Sequence, residues 1–441
     1  MLRVLADRTY RRLFLAQVLA LLGTGLATVA LGLLAFDLAG DDAGLVLGTA
    51  LAIKMLAYVG VAPVAAAFAE RLPRRRLLVS LDVVRALVAL SLPFVTEVWQ
   101  VYVLIFVLQS ASAAFTPAFQ ATIPDILPDE ADYTRALSLS RLAYDMESLV
   151  SPILAAALLS VVAFHSLFAG TVVGFLASAA LVTSVLLPSP RPVERRGIYD
   201  RTTRGLRIYL GTPRLRGLLA LNLAVAAGGA MVIVNTVVIV QSELGLGQQA
   251  TALALAAFGG GSMLAALLLP RLLETLPDRA AMLGGGGTLV GGLALAAALP
   301  AGYATLLGLW LLLGLGYSLT QTPSGRLLRR SAHPEDRPAL FAAQFALSHA
   351  CWLLAYPAAG WLGVGVGMPV TFALFAAVAA LAVLLAARLW PAGDPQAIEH
   401  AHPDLPPDHP HLRDPAPTGH GRRHIHAFVI DRDHTEWPHR A

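Results

Sequence analysis

The chain has little charge, a single cysteine and a single lysine. Of its 441 residues, 14% are charged and 56% are hydrophobic, and the mean hydropathy is +0.66. This number of polar side chains is too small to cover the surface of a water-soluble globule of this length. The composition therefore indicates a membrane protein. Because Cys351 is the only cysteine and lies in an apolar segment, an intrachain disulfide and a thiolate metal cluster are both excluded.

The positive charge is almost entirely arginine. The formal net charge is +4 and Lys54 is the only lysine. The arginines lie in loops between apolar segments rather than on one soluble face, which argues against a nucleic-acid partner. The sequence also contains no Walker-type phosphate loop, so we expect no binding of ATP.

The apolar segments are long enough to form membrane-spanning helices, which need roughly 20 residues each. We count twelve of them, six in each half of the chain. They begin near Leu13, Ala43, Leu77, Trp99, Leu137 and Ser166 in the first half, and near Leu215, Ala250, Ala280, Tyr303, Ala339 and Met368 in the second. The sequence therefore predicts an all-α integral membrane protein.

A short charged loop occurs twice. Its residues Glu70, Leu72, Pro73 and Arg75 recur about two hundred residues later as Glu274, Leu276, Pro277 and Arg279. A repeat of this size predicts two structural halves. We place them at residues 1–187 and 214–390, joined by a linker at 188–213 that is rich in arginine and proline.

The arginines also predict the orientation and leave a distinct tail. They occupy the N-terminus and every second loop, and such loops remain on the cytoplasmic side, so both termini are expected in the cytoplasm. Residues 391–441 are rich in Pro, Asp, His and Gly, which predicts a largely disordered cytoplasmic tail. Within it, Phe428, Ile430 and Trp437 form a short segment able to dock on the bundle or on a partner.

The repeated halves and their arginine-rich loops resemble the major facilitator superfamily. In that family the loop usually carries a glycine, an Asp-Arg pair and two basic residues; here Ala66 and Glu70 replace the glycine and the aspartate. The resemblance implies two six-helix halves and a loop whose charged contacts hold the cytoplasmic side closed. Asp82 and Arg85, three residues apart on the next span, form a structural pair or extend this gate. The expected gate residues are Glu70, Arg71, Arg74, Arg75, Asp82 and Arg85.

Nine of the twelve histidines lie in the tail. In an extended chain, residues two apart project to the same side at about 7 Å, so two imidazoles can converge on one ion. Imidazole favours Cu²⁺, Ni²⁺ and Zn²⁺, and the tail resembles those of bacterial nickel-resistance permeases, which implies metal export. The alternative is a solvated tail without a ligand. The expected metal ligands, for nickel, cobalt or zinc, are His400, His402, His409, His411, His424 and His426.

Charged groups inside the spans are costly and therefore indicate function or pairing. Lys54 lies about ten residues into the second span, or ~15 Å at helical rise, close to the midplane. Arg141 and Asp145 are one helical turn apart in the fifth span and are expected to form a structural pair. Glu147 is then the candidate for reversible protonation, because a carboxyl in a low-dielectric site can exchange a proton as a pathway opens.

The second half has fewer polar groups inside its spans. Asn222 and Gln344 are neutral amides that either join helices or line the pathway. His349 is a candidate metal ligand or proton carrier, but a buried, hydrogen-bonded structural histidine is the more common role for such a residue.

Together with the resemblance, these observations predict a proton-coupled secondary exporter of the bacterial inner membrane that works by alternating access. Divalent metal, nickel first, is the expected solute, although Lys54 and Arg85 repel a divalent cation unless each is neutralised. One alternative is efflux of a drug or siderophore, and another is a membrane-anchored metal sensor without transport. We expect no enzymatic activity and no required cofactor, with the lipid bilayer and the solute as partners of a monomer.

Overall fold

The computed structural model describes residues 2–39, 43–69, 72–188, 198–299, 302–394, 397–401, 423–431 and 434–438. Fourteen α-helices contain most of these residues: α1 Arg8–Ala39, α2 Ala43–Ala69, α3 Arg74–Ser91, α4 Val98–Ile126, α5 Glu130–Leu159, α6 His165–Thr183, α7 Ile198–Gly211, α8 Pro213–Val237, α9 Gln248–Thr275, α10 Asp278–Ala298, α11 Tyr303–Gln321, α12 Ser324–Arg330, α13 Arg337–Val366 and α14 Met368–Leu389. Two strands, β1 Ala397–Ala401 and β2 Arg423–Ala427, follow.

The helices begin where the sequence offers caps and prolines. Asp7 precedes α1 and its carboxylate accepts the Tyr10 N–H at 2.7 Å, while Asp129 precedes α5 and accepts the Asp132 N–H at 2.9 Å. These carboxylates satisfy backbone donors that a first helical turn leaves unpaired. Pro73 and Pro277 precede α3 and α10 at equivalent positions in an extended conformation, so the repeated loop turns the chain in the same way twice.

Eleven helices within the described residues are long and apolar enough to cross a membrane. The 30-residue helix α5, which packs between α1 and α9, completes a set of twelve, with α7 and α12 as short additional helices. This confirms the prediction of an all-α protein with about twelve membrane-spanning helices.

The two halves repeat one packing pattern. In the first half, α1 packs against α5 and α6, α2 against α4, and α3 against α4 and α6. In the second half, α8 packs against α13 and α14, α9 against α11, and α10 against α11 and α14. The halves meet through two equivalent contacts, α2 with α13 and α5 with α9, so the fold has an approximate two-fold axis between them.

The linker contains a helix that buries one of its faces. Tyr209 and Ile208 of α7 are fully buried, and a Cβ at Gly205 would overlap the carbonyl of Ala339, so α7 lies directly on α13. Arg204 donates to both carboxylate oxygens of Asp336 at 3.3 and 2.8 Å and ties α7 to the start of α13. The helix is thus part of the bundle rather than a solvated connection.

The described part of the tail is ordered and docks on the second half. β1 and β2 pair antiparallel, and Phe428, Val429 and Ile430 behind them are buried. Trp437 lies against the same apolar cluster, with the Arg214 guanidinium 5.1 Å from its ring centroid. These segments contain Phe428, Ile430 and Trp437, the apolar residues that the sequence offers for docking, and their side chains gain a surface to bury against. The remaining tail residues lie outside the described ranges, so the prediction of a largely disordered tail stays a prediction.

Candidate functional site

A central cavity lies between the two halves. Its volume is about 350 Å³, and it is lined by residues of α1, α2, α4 and α5 from the first half and of α11, α12 and α13 from the second. A cavity at the interface of two repeats is where transporters of this architecture hold their solutes.

The described lining is mostly aromatic and neutral. Its aromatic rings belong to Tyr58, Phe119, Tyr133, Tyr144, Tyr317, Phe341, Phe345 and Trp352. Its polar, uncharged side chains are those of Gln17, Thr116, Gln120, Ser140, Gln321, Thr322, Ser324, Gln344 and Ser348. Arg141 and His349 complete the polar lining, and within the described residues no carboxylate is part of it. The cavity therefore favours an apolar body with hydrogen-bonding groups over a bare cation.

Arg141 and Asp145 form the ion pair that their spacing predicts. The Nε of Arg141 donates to Asp145 at 3.2 Å, and a second bond joins Nη2 to the other carboxylate oxygen. Ser262 of α9 donates to Asp145 at 2.7 Å, and the guanidinium lies 4.7 Å from the ring centroid of Tyr317. The pair on α5 thus contacts two helices of the second half, so it also contributes to how the halves meet.

Lys54, Glu147 and His349 lie on the helices that carry the half-to-half contacts. The Nζ of Lys54 is 5.6 Å from the ring centroid of Tyr58. The Nδ1 of His349 is 2.7 Å from the carbonyl of Phe345, and its ring meets Tyr58 edge-on at 4.7 Å. His349 is thus packed and hydrogen-bonded, which matches the structural alternative for this histidine, while its ring still lines the cavity.

Gln344 and Asn222 form one buried cluster with Tyr209. The Tyr209 hydroxyl donates to Gln344 Oε1 at 2.5 Å, and Asn222 Nδ2 donates to the same oxygen at 3.3 Å. The cluster joins α7, α8 and α13, so the two amides do link helices, and Gln344 in addition lines the cavity.

Below the cavity, at the end of the bundle that carries the loops 72–73, 127–129 and 331–336, two charged clusters join the halves. We call this end the basic end and the clusters the first and second clasp. In the first clasp Asp125, at the end of α4, binds Arg74 of its own half and Arg337 of the other half, the latter at 2.6 Å. All three side chains are largely buried, so water competes only weakly for these bonds.

The second clasp repeats this arrangement with the charges inverted. Arg326 of α12 donates to Asp278 of its own half at 2.8 Å and pairs with Glu130 of the other half at 2.7 Å. It also donates to the Thr134 hydroxyl at 2.5 Å. In both clasps the first half supplies the acid of the half-to-half pair and the second half supplies the arginine.

The expected gate residues have different places in the structure. Arg74 belongs to the first clasp, Arg75 is exposed, and Glu70 and Arg71 lie outside the described residues. Asp82 and Arg85 form a buried pair inside the first half, where Ser178 donates to Asp82 at 2.8 Å and the rings of α4 and α6 enclose the guanidinium. Every contact described for this pair is within one half, so we interpret it as structural rather than as part of a gate.

Sequence reasoning missed Asp125, Glu130, Asp278, Arg326 and Arg337. The signal available was their position, since each lies at a helix end in the arginine-rich loops. In the repeated loop, Asp278 follows Pro277 at the position where Arg74 follows Pro73. The two copies of the loop therefore carry opposite charges at this position. Partners more than forty residues apart in sequence could not be read from local spacing.

The described histidines of the tail hold no ligand cluster. Within the described residues no group of three or more His, Cys, Asp or Glu side chains is placed to hold a metal ion. The backbone register of the ribbon pairs His400 with His424 and Ile398 with His426. His402, His409 and His411 lie outside the described residues, so the predicted tail site stays a prediction.

Comparison with known proteins agrees with this architecture. Over 165 residues the chain is 27% identical to the uncharacterized MFS-type transporter YfiS of Bacillus subtilis, covering 36% of this chain and 39% of the relative. Over 149 residues it is 27% identical to macrolide efflux protein A of Streptococcus pyogenes, covering 33% and 36%. The matched part thus spans well under two thirds of each curated relative.

Solved structures share the fold over most of the chain. The human organic anion transporter MFSD10 superposes with a TM-score of 0.74 at 14% identity, and a bacterial homologue of the iron transporter ferroportin, in an outward-facing state, with 0.72 at 16%. Each comparison covers 86% of this chain and 99% of the other. The family model of the Major Facilitator Superfamily matches residues 13–232 and 218–419. The chain is therefore a multi-pass membrane transporter that belongs to the Major Facilitator Superfamily.

Proposed function

We propose that this transporter exports amphipathic organic compounds from a bacterial cytoplasm in exchange for protons. The observation that carries the proposal is the described lining of the central cavity, which combines eight aromatic rings with neutral polar groups and lacks a carboxylate. Aromatic rings bind an apolar body, and a few convergent polar groups orient it. The likeness to macrolide efflux proteins over a third of the chain supports the same solute class.

The proposed orientation rests on the arginine-rich loops, because basic loops remain on the cytoplasmic side. In this proposal the transporter is a monomer in the inner membrane with its basic end in the cytoplasm. The two clasps then close the cytoplasmic side, and their opening admits the solute to the cavity. Glu147 exchanges the proton, since protonation of a carboxyl inside a membrane-spanning helix changes the charge of the first half.

Export of divalent metal, nickel first, is the second candidate. The observation that favours it is the ribbon register, which sets His400 directly opposite His424, as a site on the tail would require. Against it, the described cavity lining offers one imidazole, that of His349, and one guanidinium, which repels cations.

The test uses everted membrane vesicles with a respiration-driven proton gradient. We expect accumulation of erythromycin, abolished by a protonophore, and little accumulation of Ni²⁺. Glu147→Gln is expected to lower gradient-driven uptake at least tenfold while preserving gradient-independent exchange of erythromycin across the membrane. Glu436→Gln, at an exposed carboxylate of the tail, is the matched control and should transport normally.

The other outcomes separate the alternatives. Nickel uptake without erythromycin uptake would contradict the organic-solute proposal and support metal export. Lack of gradient-driven flux for both compounds would support a membrane-anchored sensor. Retained gradient-driven uptake in Glu147→Gln would remove Glu147 from the coupling mechanism.

A further inference from the structure

The linker helix α7 contacts a residue of the wall of the central cavity through one side chain. Tyr209 is fully buried, and its hydroxyl is 2.5 Å from Oε1 of Gln344, which lines the cavity. The linker joins the two halves in sequence, and through Tyr209 it also contacts a residue of the proposed solute site. This contact is distinct from the clasps and from the residues assigned to proton exchange.

The cluster fixes which face of the Gln344 amide meets the cavity. In the structure the Tyr209 hydroxyl donates to Oε1 of Gln344, so the amide turns its oxygen toward Tyr209. Asn222 donates to the same oxygen from the other side at 3.3 Å. The NH2 group of Gln344 has no hydrogen-bond partner within the described part of the chain, and it is the end of the amide left for the cavity.

The position of Tyr209 is itself fixed from three directions. Gly205, one turn earlier on α7, lies so close to the Ala339 carbonyl that a Cβ there would overlap it. Arg204 pairs with Asp336 at the start of α13. At the other end of α7, Ile430 of the docked tail packs over Gly211, with its Cγ1 3.5 Å from where a Cβ would lie. The hydroxyl is thus held by packing that does not depend on the cavity being filled.

We propose that Tyr209 is a positioning residue that orients Gln344, so that the cavity presents an N–H donor there and selects solutes with a hydrogen-bond acceptor, such as a carbonyl or ether oxygen. The proposal deepens the proposed function and rests on it for the nature of the solute. Loss of the Tyr209 hydroxyl removes the shorter of the two hydrogen bonds that hold the Gln344 oxygen and leaves the 3.3 Å bond from Asn222. The amide then presents its oxygen to the cavity more often, which weakens binding of an acceptor and leaves the transport cycle intact.

The first test measures erythromycin exchange in proteoliposomes. Tyr209→Phe is expected to raise KM five- to tenfold at unchanged kcat, and Gln344→Glu, which replaces the donor with an acceptor of the same size, by more. Tyr10→Phe is the matched control, because Tyr10 is also buried and its hydroxyl donates to the Ala136 carbonyl within the first half, away from Gln344. The proposal fails if Tyr209→Phe leaves KM unchanged or if Tyr10→Phe raises it equally.

The second test needs no solute. Hydrogen exchange of α7, followed by mass spectrometry, is expected to rise at least threefold in Gln344→Leu and to stay unchanged in Gln17→Leu, a cavity residue that accepts from Ser140 in the first half. If the wild-type protein transports no erythromycin, the proposed solute class is wrong, and the hydrogen-exchange measurement alone decides the positioning role. An unchanged rate of hydrogen exchange in α7 of Gln344→Leu would overturn the positioning role.

Discussion

Single glycines set the distance between two helices of the second half. A Cβ at Gly261 of α9 would overlap the carbonyl of Leu311 on α11, and a Cβ at Gly314 of α11 would overlap the carbonyl of Phe258 on α9. The two positions thus act reciprocally, each accepting the backbone of the other helix. Close approach of this kind is how membrane helices gain packing energy without a hydrophobic driving force.

We predict that Gly261→Ala and Gly314→Ala each destabilise the protein by about 1–3 kcal/mol, because the added methyl forces α9 and α11 apart. The measurement is the thermal unfolding midpoint in detergent. Gly260→Ala is the control, since open space surrounds that position and alanine favours the helix. Equal midpoints for Gly260→Ala and Gly261→Ala would contradict the role of the close contact.

At the scale of elements, the docked tail is held by a carboxylate between two imidazoles. Asp431 lies 3.3 Å from Nε2 of His333, in the loop before α13, and 2.8 Å from Nδ1 of His434. Burial raises the pKa of Asp431, but the hydrogen bonds from the two histidines outweigh it and hold that pKa well below its usual range. The hydrogen bond to Asp431 in turn raises the pKa of His333, with burial acting in the opposite direction and the nearby Glu335 and Asp336 adding to the rise.

We predict that docking of the tail weakens as the pH rises. A histidine whose pKa is raised in the docked state stabilises that state fully below its ordinary value of about 6.5, and this contribution is lost as the pH passes the raised pKa. The depressed pKa of Asp431 does not make docking depend on pH near neutrality, because that carboxylate stays ionised there. Hydrogen exchange of residues 428–431 and 434–438 should therefore speed up between pH 6 and pH 8 beyond its intrinsic base catalysis. In His333→Ala the extra acceleration of hydrogen exchange with pH should disappear. If it persists, another titrating group causes it.

Sequence reasoning predicted the features that depend on local residue patterns. It missed contacts between residues that are far apart in the chain. Helix number, the repeat and the Arg141–Asp145 pair follow from apolar run length and from spacing by one helical turn. The bond of Tyr209 to Gln344 joins residues 135 positions apart, and its existence depends on where α7 lies on α13. The sequence did offer Phe428 as part of a docking segment, because it is apolar within a polar tail, but the surface that buries it could not be read from the sequence.

At the scale of the whole molecule, the two clasps hold the halves together at the basic end. Asp125 binds Arg337 across the boundary, and Arg326 binds Glu130 at the equivalent place. Arg329 adds a bond to the Pro128 carbonyl of the other half. A conformation open at this end must break all of these contacts together.

We predict that Asp125→Asn shifts the protein toward a conformation open at the basic end. Charged hydrogen bonds contribute about 1.5–3 kcal/mol each, so the ratio of open to closed molecules should rise at least tenfold. Spin labels at exposed Arg75 and Thr275, in a Cys351→Ser background, report the distance between the halves by pulsed electron resonance. Asp132→Asn is the control, because its partner Arg135 lies in the same helix. A distance distribution that is the same for both variants would show that the first clasp does not hold this end closed.

The inverted charges of the clasps also determine which surfaces can associate while the chain is being made. The first half enters the membrane first and shows Asp125 and Glu130, whereas the second half shows Arg326 and Arg337. Two first halves from neighbouring ribosomes would bring acid against acid, and like charges at close range repel. A second half offers the complementary arginines, so the half-to-half pairs of the clasps favour association of a first half with a second half over association of two like halves.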